Sequence, residues 1–153
     1  MDIEARLADL GIVLPEPARS VANYVPYVVA GDLLLISGQL PFDQGRVITG
    51  RLGEDMTLDE GIAAARACGI GVLAQIRAAV DGDWTRVRRV LRLGGFVNST
   101  DDFTDQPKVI NGASDLMVDV FGEAGRHARA AVGVNTLPLG AAVEVEATVL
   151  IRS

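Results

Sequence analysis

The sequence predicts an α+β fold, in which one mixed β-sheet carries two helices on one face. Short apolar segments with the features of strands occur before, between and after two longer segments of helical periodicity, in the order ββ(β)–α–β–α–ββ. The length of 153 residues fits a single domain. A composition that is 49% hydrophobic and 22% charged is typical of a folded globular chain.

The first segment of the chain has a helix pattern of its own. Apolar residues recur at helical spacing from Ile3 to Leu10, and Gly11 ends the pattern. The stretch LPEPARS follows, and its two prolines indicate a connector. We therefore divide the chain into an N-terminal helix and connector at 1–20 and a domain at 21–153, and expect the first segment to be the more dispensable.

A β-hairpin is expected next. Two apolar runs, at 24–30 and 33–37, are separated by a Gly-Asp pair, which is a two-residue turn signal. A second turn at 43–45 leads to a short strand at 46–48.

The clearest helix begins at Thr57, which forms a capping-box pattern with Glu60. One stripe of apolar and small residues then continues for more than five turns, and Gly82 ends it. Because the stripe is rich in alanine and glycine, we expect it to lie close against the sheet. A second helix is predicted over about 108–121, ending at Gly122.

Three strands complete the pattern, at 87–97, 128–134 and 142–151. In the last strand, apolar residues alternate with polar ones, so one face of the sheet is predicted to be polar. Arginines alternate with apolar residues in the first of the three, and we expect them to be solvated and paired with nearby acids.

Arg129 and the glutamates of the last strand form the most suggestive polar group. Glu144 and Glu146 share one face because they are two residues apart in a strand. The two final strands are joined by the short connection LPLG, so we expect them to pair antiparallel and to bring Arg129 near a carboxylate. Spacing alone favours a cross-strand ion pair on a solvated face.

The remaining reactive residues favour structural roles. Cys68 cannot form an intrachain disulfide and is expected to be inert and partly buried. His127 is interpreted as a surface or capping residue, and Trp84 as an anchor under a turn. One histidine and one cysteine cannot build a zinc site, so no metal is predicted.

Charge and anchoring exclude further classes. The formal net charge of −6 disfavours a nucleic-acid binder. The N-terminus lacks the apolar core of a signal peptide, and the apolar runs are too short and interrupted to span a bilayer. We expect a soluble cytoplasmic protein without a membrane partner.

Several segments resemble the RidA family, also called YjgF-like or L-PSP, over about residues 20 to 151. They are Tyr24 with ISGQLP at 36–41, FVN at 96–98, ARAAV at 128–132 and LP at 137–138 with VEVEA at 143–147. The resemblance implies a chorismate-mutase-like α+β fold that assembles as a homotrimer, with ligand clefts between neighbouring subunits.

The resemblance also implies an activity, the hydrolysis of reactive enamines and imines such as 2-aminoacrylate to a 2-oxo acid and ammonia. Arg129 would bind the substrate carboxylate, and Glu144 would position or activate the attacking water. The substrate pocket would further include Tyr24, Ser37, Gly38, Asn111 and Ala131. No cofactor is implied, because the imine carbon is already electrophilic.

The chain also departs from the family pattern, as expected of a less characterised branch. Ala131 stands where many members have cysteine, and extra residues at 49–55 lengthen the connection before the first long helix. Two alternatives to an imine deaminase are considered, a non-catalytic trimeric module that binds small carboxylates and an endoribonuclease or translation inhibitor. The retained Glu144 favours the enzyme over the module, and the net charge counts against the ribonuclease.

Overall fold

A computed structural model describes residues 1–152 as three α-helices and seven β-strands. The helices are α1 (Ile3–Asp9), α2 (Leu58–Ala79) and α3 (Gln106–Phe121). The strands are β1 (Tyr27–Ala30), β2 (Leu33–Gln39), β3 (Phe42–Asp43), β4 (Arg46–Val47), β5 (Val87–Asn98), β6 (Ala128–Val134) and β7 (Val143–Ile151). Every predicted helix and strand is therefore present, although β1 begins three residues later than predicted.

The strand order of the main sheet is β1-β2-β7-β5-β6, and β3 pairs with β4 in a separate ribbon. Neighbours are antiparallel except β5 and β6, which are parallel, so the sheet is mixed as predicted. The expected antiparallel pairing of the two final strands is wrong, because β5 lies between β6 and β7. A 3₁₀ turn at Pro138–Gly140 makes the short connection past the end of β5.

Both long helices cover one face of the sheet and enclose the core. Thr57 caps α2 as predicted, since its Oγ1 accepts a hydrogen bond from the Glu60 backbone N–H at 3.2 Å. The small residues of α2 make a close approach to α3 as well as to the sheet. A Cβ at Gly112 would overlap the Ile62 carbonyl oxygen, and one at Gly69 would lie 3.0 Å from the Leu116 side chain.

The N-terminal segment is part of the same packing. Ile3, Leu7 and Leu14 are buried in the hydrophobic cluster. Trp84 anchors its turn as predicted, packing on Phe121, and its Nε1 donates to the Glu4 carboxylate at 2.7 Å. These contacts oppose the expectation that the first 20 residues are dispensable.

The extra residues at 49–55 are held in place by the rest of the fold. Leu52 is fully buried, and its backbone bonds to Asn98 and Thr100, which extends the end of β5. The segment is therefore a packed loop with its own hydrophobic anchor.

By length and composition alone, α2 is long and apolar enough to cross a membrane, although the apolar runs of the sequence predict no spanning segment. Half of its most apolar window, 50%, is buried inside the fold. That burial is typical of the core helix of a folded domain.

The close approach of α2 and α3 predicts how a substitution at Gly112 changes stability. Gly112→Ala should lower the free energy of unfolding by about 1–3 kcal/mol, because the added methyl group forces α2 and α3 apart. Urea denaturation followed by circular dichroism measures the change. Asp115→Ala, at an exposed position of α3, is the control and should stay within about 0.5 kcal/mol of the parent. An unchanged midpoint for Gly112→Ala would contradict the packing.

Candidate functional site

Arg129 and Glu144 lie on opposite faces of the sheet. Arg129 is in register with Leu93, whose side chain is in the core, so Arg129 points to the helix side of edge strand β6. Glu144 alternates with the buried Val143 and Val145 and therefore points to the other face, which we call the open face. The two strands are also two spacings apart, about 10 Å. The expected proximity of the two residues within one chain is therefore wrong.

The first group of polar residues, the arginine half-site, is built where β6 passes α3. Arg129 Nη1 donates to Asn111 Oδ1 at 2.8 Å and to Ser114 Oγ at 3.1 Å. Asn111 and Ser114 are three residues apart on α3 and so share one side of the helix. Ala131 is two residues after Arg129 on the same side of β6 and is half-buried.

His127 completes the arginine half-site, although the sequence suggested only a surface or capping role. Its Nε2 lies 2.9 Å from Ser114 Oγ, and its Nδ1 lies 2.6 Å from the Gly125 carbonyl oxygen. Partial burial is the main cause that lowers the pKa of His127, and the charge of Arg129 lowers it further. An open depression of about 590 Å³ borders Ser114, His127 and Arg129.

The second group, the glutamate half-site, lies on the open face where β2 bends. A Cβ at Gly38 would overlap Glu144 Oε1, so the carboxylate rests directly over the glycine. Ser37 donates its hydroxyl to the Val25 carbonyl at 2.7 Å, which holds the chain before β1 against β2. Tyr24, Ser37 and Gly38 line one cleft of about 210 Å³.

The environment of Glu144 disfavours its charged form. Partial burial raises the pKa of Glu144 above its ordinary value, and repulsion from Glu146 raises it further. Glu146 itself is exposed and lies 3.7 Å from the Arg92 guanidinium. The two glutamates of the strand therefore differ in role, one forming a surface ion pair and the other a carboxyl group that holds its proton to higher pH.

The other candidates have structural roles. Cys68 is fully buried rather than partly buried, and burial raises the pKa of its thiol well above the usual range. Arg92 pairs with an acid as predicted, but Arg86 and Arg89 donate to backbone carbonyls instead. Within residues 1–152 no group of three or more His, Cys, Asp or Glu side chains is arranged to hold a metal ion.

The fold and the candidate site define a class of protein: an α+β domain with two helices over a mixed sheet, and polar residues divided between the two faces of that sheet. Comparison with known proteins assigns the family. The model described as "YjgF/chorismate_mutase-like, putative endoribonuclease" matches residues 4–148. This chain therefore belongs to the YjgF/RidA-like family, as its motifs predicted.

Individual relatives span almost the whole chain. Protein TCP17 of Trypanosoma cruzi is 56% identical over 149 residues, which is 96% of this chain and 92% of that protein. The crystal structure of Atu1372, a protein with unknown function from Agrobacterium tumefaciens, is 49% identical with a TM-score of 0.92, covering 97% of this chain and 92% of that one. RidA from the Antarctic bacterium Psychrobacter sp. PAMC 21119 is 28% identical with a TM-score of 0.61, covering 89% and 94%.

The raised pKa of Glu144 can be tested directly. Glu146→Gln should lower the pKa of Glu144 toward its ordinary value, because it removes the repelling charge while keeping the side-chain size. A ¹³C NMR titration of the side-chain carboxyl groups measures the shift. Asp81→Asn, a surface change at the far end of α2, should leave the pKa of Glu144 unchanged. A pKa of Glu144 that does not change in Glu146→Gln would contradict the contribution of the Glu146 charge.

Proposed function

We propose that this protein hydrolyses small carboxylate-bearing imines and enamines of the 2-aminoacrylate type to a 2-oxo acid and ammonia. The observation that carries the proposal is the carboxyl group of Glu144, which is half-buried, lies over a glycine and has a raised pKa. A raised pKa makes the ionised carboxylate a stronger base than that of a solvated glutamate, which favours water activation and is not required for simple ligand binding.

The residues support a short sequence of steps. Arg129 binds the carboxylate of the substrate, which fixes the imine carbon in place. Water attacks that carbon and transfers a proton to Glu144, while the imine nitrogen takes up a proton from the solvent and the C=N bond becomes single. The resulting carbinolamine collapses: its hydroxyl proton passes to the solvent, the C–N bond breaks, and Glu144 returns its proton to the departing nitrogen. An enamine enters the same path after protonation at its β-carbon. No step calls on a metal or an organic cofactor.

The proposal places each active site between two copies of the chain. Arg129 and Glu144 lie on opposite faces of one sheet, so a single chain cannot direct both at one small substrate. The two half-sites are different surfaces, and an interface that joins unlike surfaces forms a ring when the rotation between copies closes. We propose a homotrimer, the assembly that the family resemblance implies, acting in the cytoplasm.

The open face has the composition of a surface that another copy would cover. Val28, Leu35 and Val132 all point to this face and are 51%, 46% and 47% exposed. They flank the strand that carries Glu144. Covering these apolar side chains would contribute to assembly at the same surface that holds the glutamate half-site.

Turnover is tested with an imino acid made in place by an amino acid oxidase and trapped with semicarbazide. The wild-type protein should lower the trapped fraction. Glu144→Gln should reduce kcat by about 10²-fold, because the proton acceptor is lost. Arg129→Lys should raise KM by about 10-fold, because lysine keeps the charge but cannot make the bidentate hydrogen bonds of arginine to a carboxylate.

Glu54→Gln, an exposed carboxylate in the 49–55 loop, is the matched control and should behave as the wild type. If the wild type leaves the trapped fraction unchanged for several imines while Arg129 still binds 2-oxo acids, the non-catalytic carboxylate-binding module replaces the deaminase.

Mixing two inactive variants tests the location of the site. Equal amounts of Arg129→Ala and Glu144→Gln, unfolded and refolded together, should form functional clefts in about a quarter of positions, since each cleft needs one particular copy on either side. The activity of the mixture is compared with each variant refolded alone. A mixture that stays as inactive as its components would place both residues in one chain's site and overturn the shared cleft.

A further inference from the structure

The arginine half-site contains a directed chain of hydrogen bonds that the proposed mechanism does not use. Its first link is the 2.6 Å contact between His127 Nδ1 and the Gly125 carbonyl oxygen. A carbonyl can only accept, so Nδ1 carries the proton. In the neutral ring Nε2 is then an acceptor, and Ser114 donates its hydroxyl proton to it at 2.9 Å. The lone pairs of Ser114 Oγ are then free to accept a hydrogen bond from Arg129.

The end of this chain fixes one nitrogen of the guanidinium. Nη1 has two hydrogens and makes two bonds, to Asn111 Oδ1 at 2.8 Å and to Ser114 Oγ at 3.1 Å. Both of its donors are therefore used. Among residues 1–152, no protein acceptor is found for Nε or Nη2 of Arg129. These two nitrogens form the side edge of the guanidinium, whose parallel N–H groups match the two oxygens of a carboxylate.

The backbone holds the far end of the chain in place. Gly125 lies so close to α3 that a Cβ there would overlap the Met117 carbonyl oxygen. Its own carbonyl is thus fixed relative to the helix that carries Ser114 and Asn111. The chain of bonds therefore ties the edge strand, the turn before it and α3 to one orientation of Arg129.

We propose that Ser114 and His127 are positioning residues for Arg129, and that a ligand carboxylate binds side-on, to Nε and Nη2. The inference rests on the proposed role of Arg129 in carboxylate binding. It adds the direction from which the ligand approaches. It also gives the neutral Nδ1–H form of His127 a role, which is to accept the hydrogen bond that orients Ser114 toward Arg129. A freely rotating guanidinium would have to be ordered on binding, which costs affinity.

The experiment uses pyruvate, a stable 2-oxo acid, as the probe and ¹H–¹⁵N NMR of the arginine and histidine side chains as the readout. The Arg129 Nε–H signal, assigned by its loss in Arg129→Lys, should shift downfield as pyruvate is added. Ser114→Ala should weaken pyruvate binding about 5- to 10-fold, the loss expected for one hydrogen bond. Ser114→Thr keeps the hydroxyl group and should restore most of the affinity.

Two measurements on the free protein need no ligand. The ring nitrogens of His127 should give the Nδ1–H pattern, and the Arg129 Nη signals should be resolved in the wild type and merge in Ser114→Ala as rotation becomes faster. Thr85→Ala removes a hydroxyl that bonds to Asp83 at a remote turn. It is the matched control and should change neither pyruvate affinity nor the Arg129 signals.

The outcomes separate the two proposals. If Arg129→Ala binds pyruvate as well as the wild type, or the wild type does not bind it, carboxylate binding by Arg129 fails and this inference fails with it. If Arg129→Ala abolishes binding but Ser114→Ala does not weaken it, or the Nε–H signal does not move, the positioning role alone is overturned. An Nε2–H form of His127 would also overturn it.

Discussion

The parallel pairing of β5 with β6 is the constraint on which the rest of this molecule depends. Parallel neighbours need a long crossover, and here the crossover is α3, which must lie across the face of the strands it joins. The same pairing sets β6 at the sheet edge and leaves β7 on the other side of β5. The helix that supports Arg129 and the distance between Arg129 and Glu144 thus have one cause.

Each half-site has a distinct physical character that suits a different task. The arginine half-site is a network of neutral acceptors, Asn111 and Ser114, which hold a cation without neutralising it. The glutamate half-site does the opposite, since burial and the nearby Glu146 make the negative charge of Glu144 less favourable. One surface is thereby suited to an anion and the other to proton exchange, within a chain whose net charge is −6.

The elements of the fold could be predicted from the sequence, but the order of the strands could not. Periodicity reports which face of its own strand a residue occupies, so the polar placement of Glu144 was predictable. It does not report which strand lies alongside, and the short LPLG connection favoured a pairing that β5 prevents. Ser114 was missed for a related reason: its contact with Arg129 depends on how α3 is rotated over an edge strand. Asn111 was found only through family resemblance, and His127 was interpreted as a surface or capping residue.

Edge strand β6 connects the proposed ligand site with the solubility of the protein. It is an exposed seven-residue strand, ARAAVGV, with a single charged side chain and one row of backbone groups directed away from the sheet. Natural sheets usually protect such edges with several charges, a proline or a bulge, because an uncovered edge recruits strands from other molecules. On β6, Arg129 is the single charged residue that protects the edge in this way. The residue proposed to bind the ligand carboxylate is thus also the charge that protects this edge in an isolated copy of the chain.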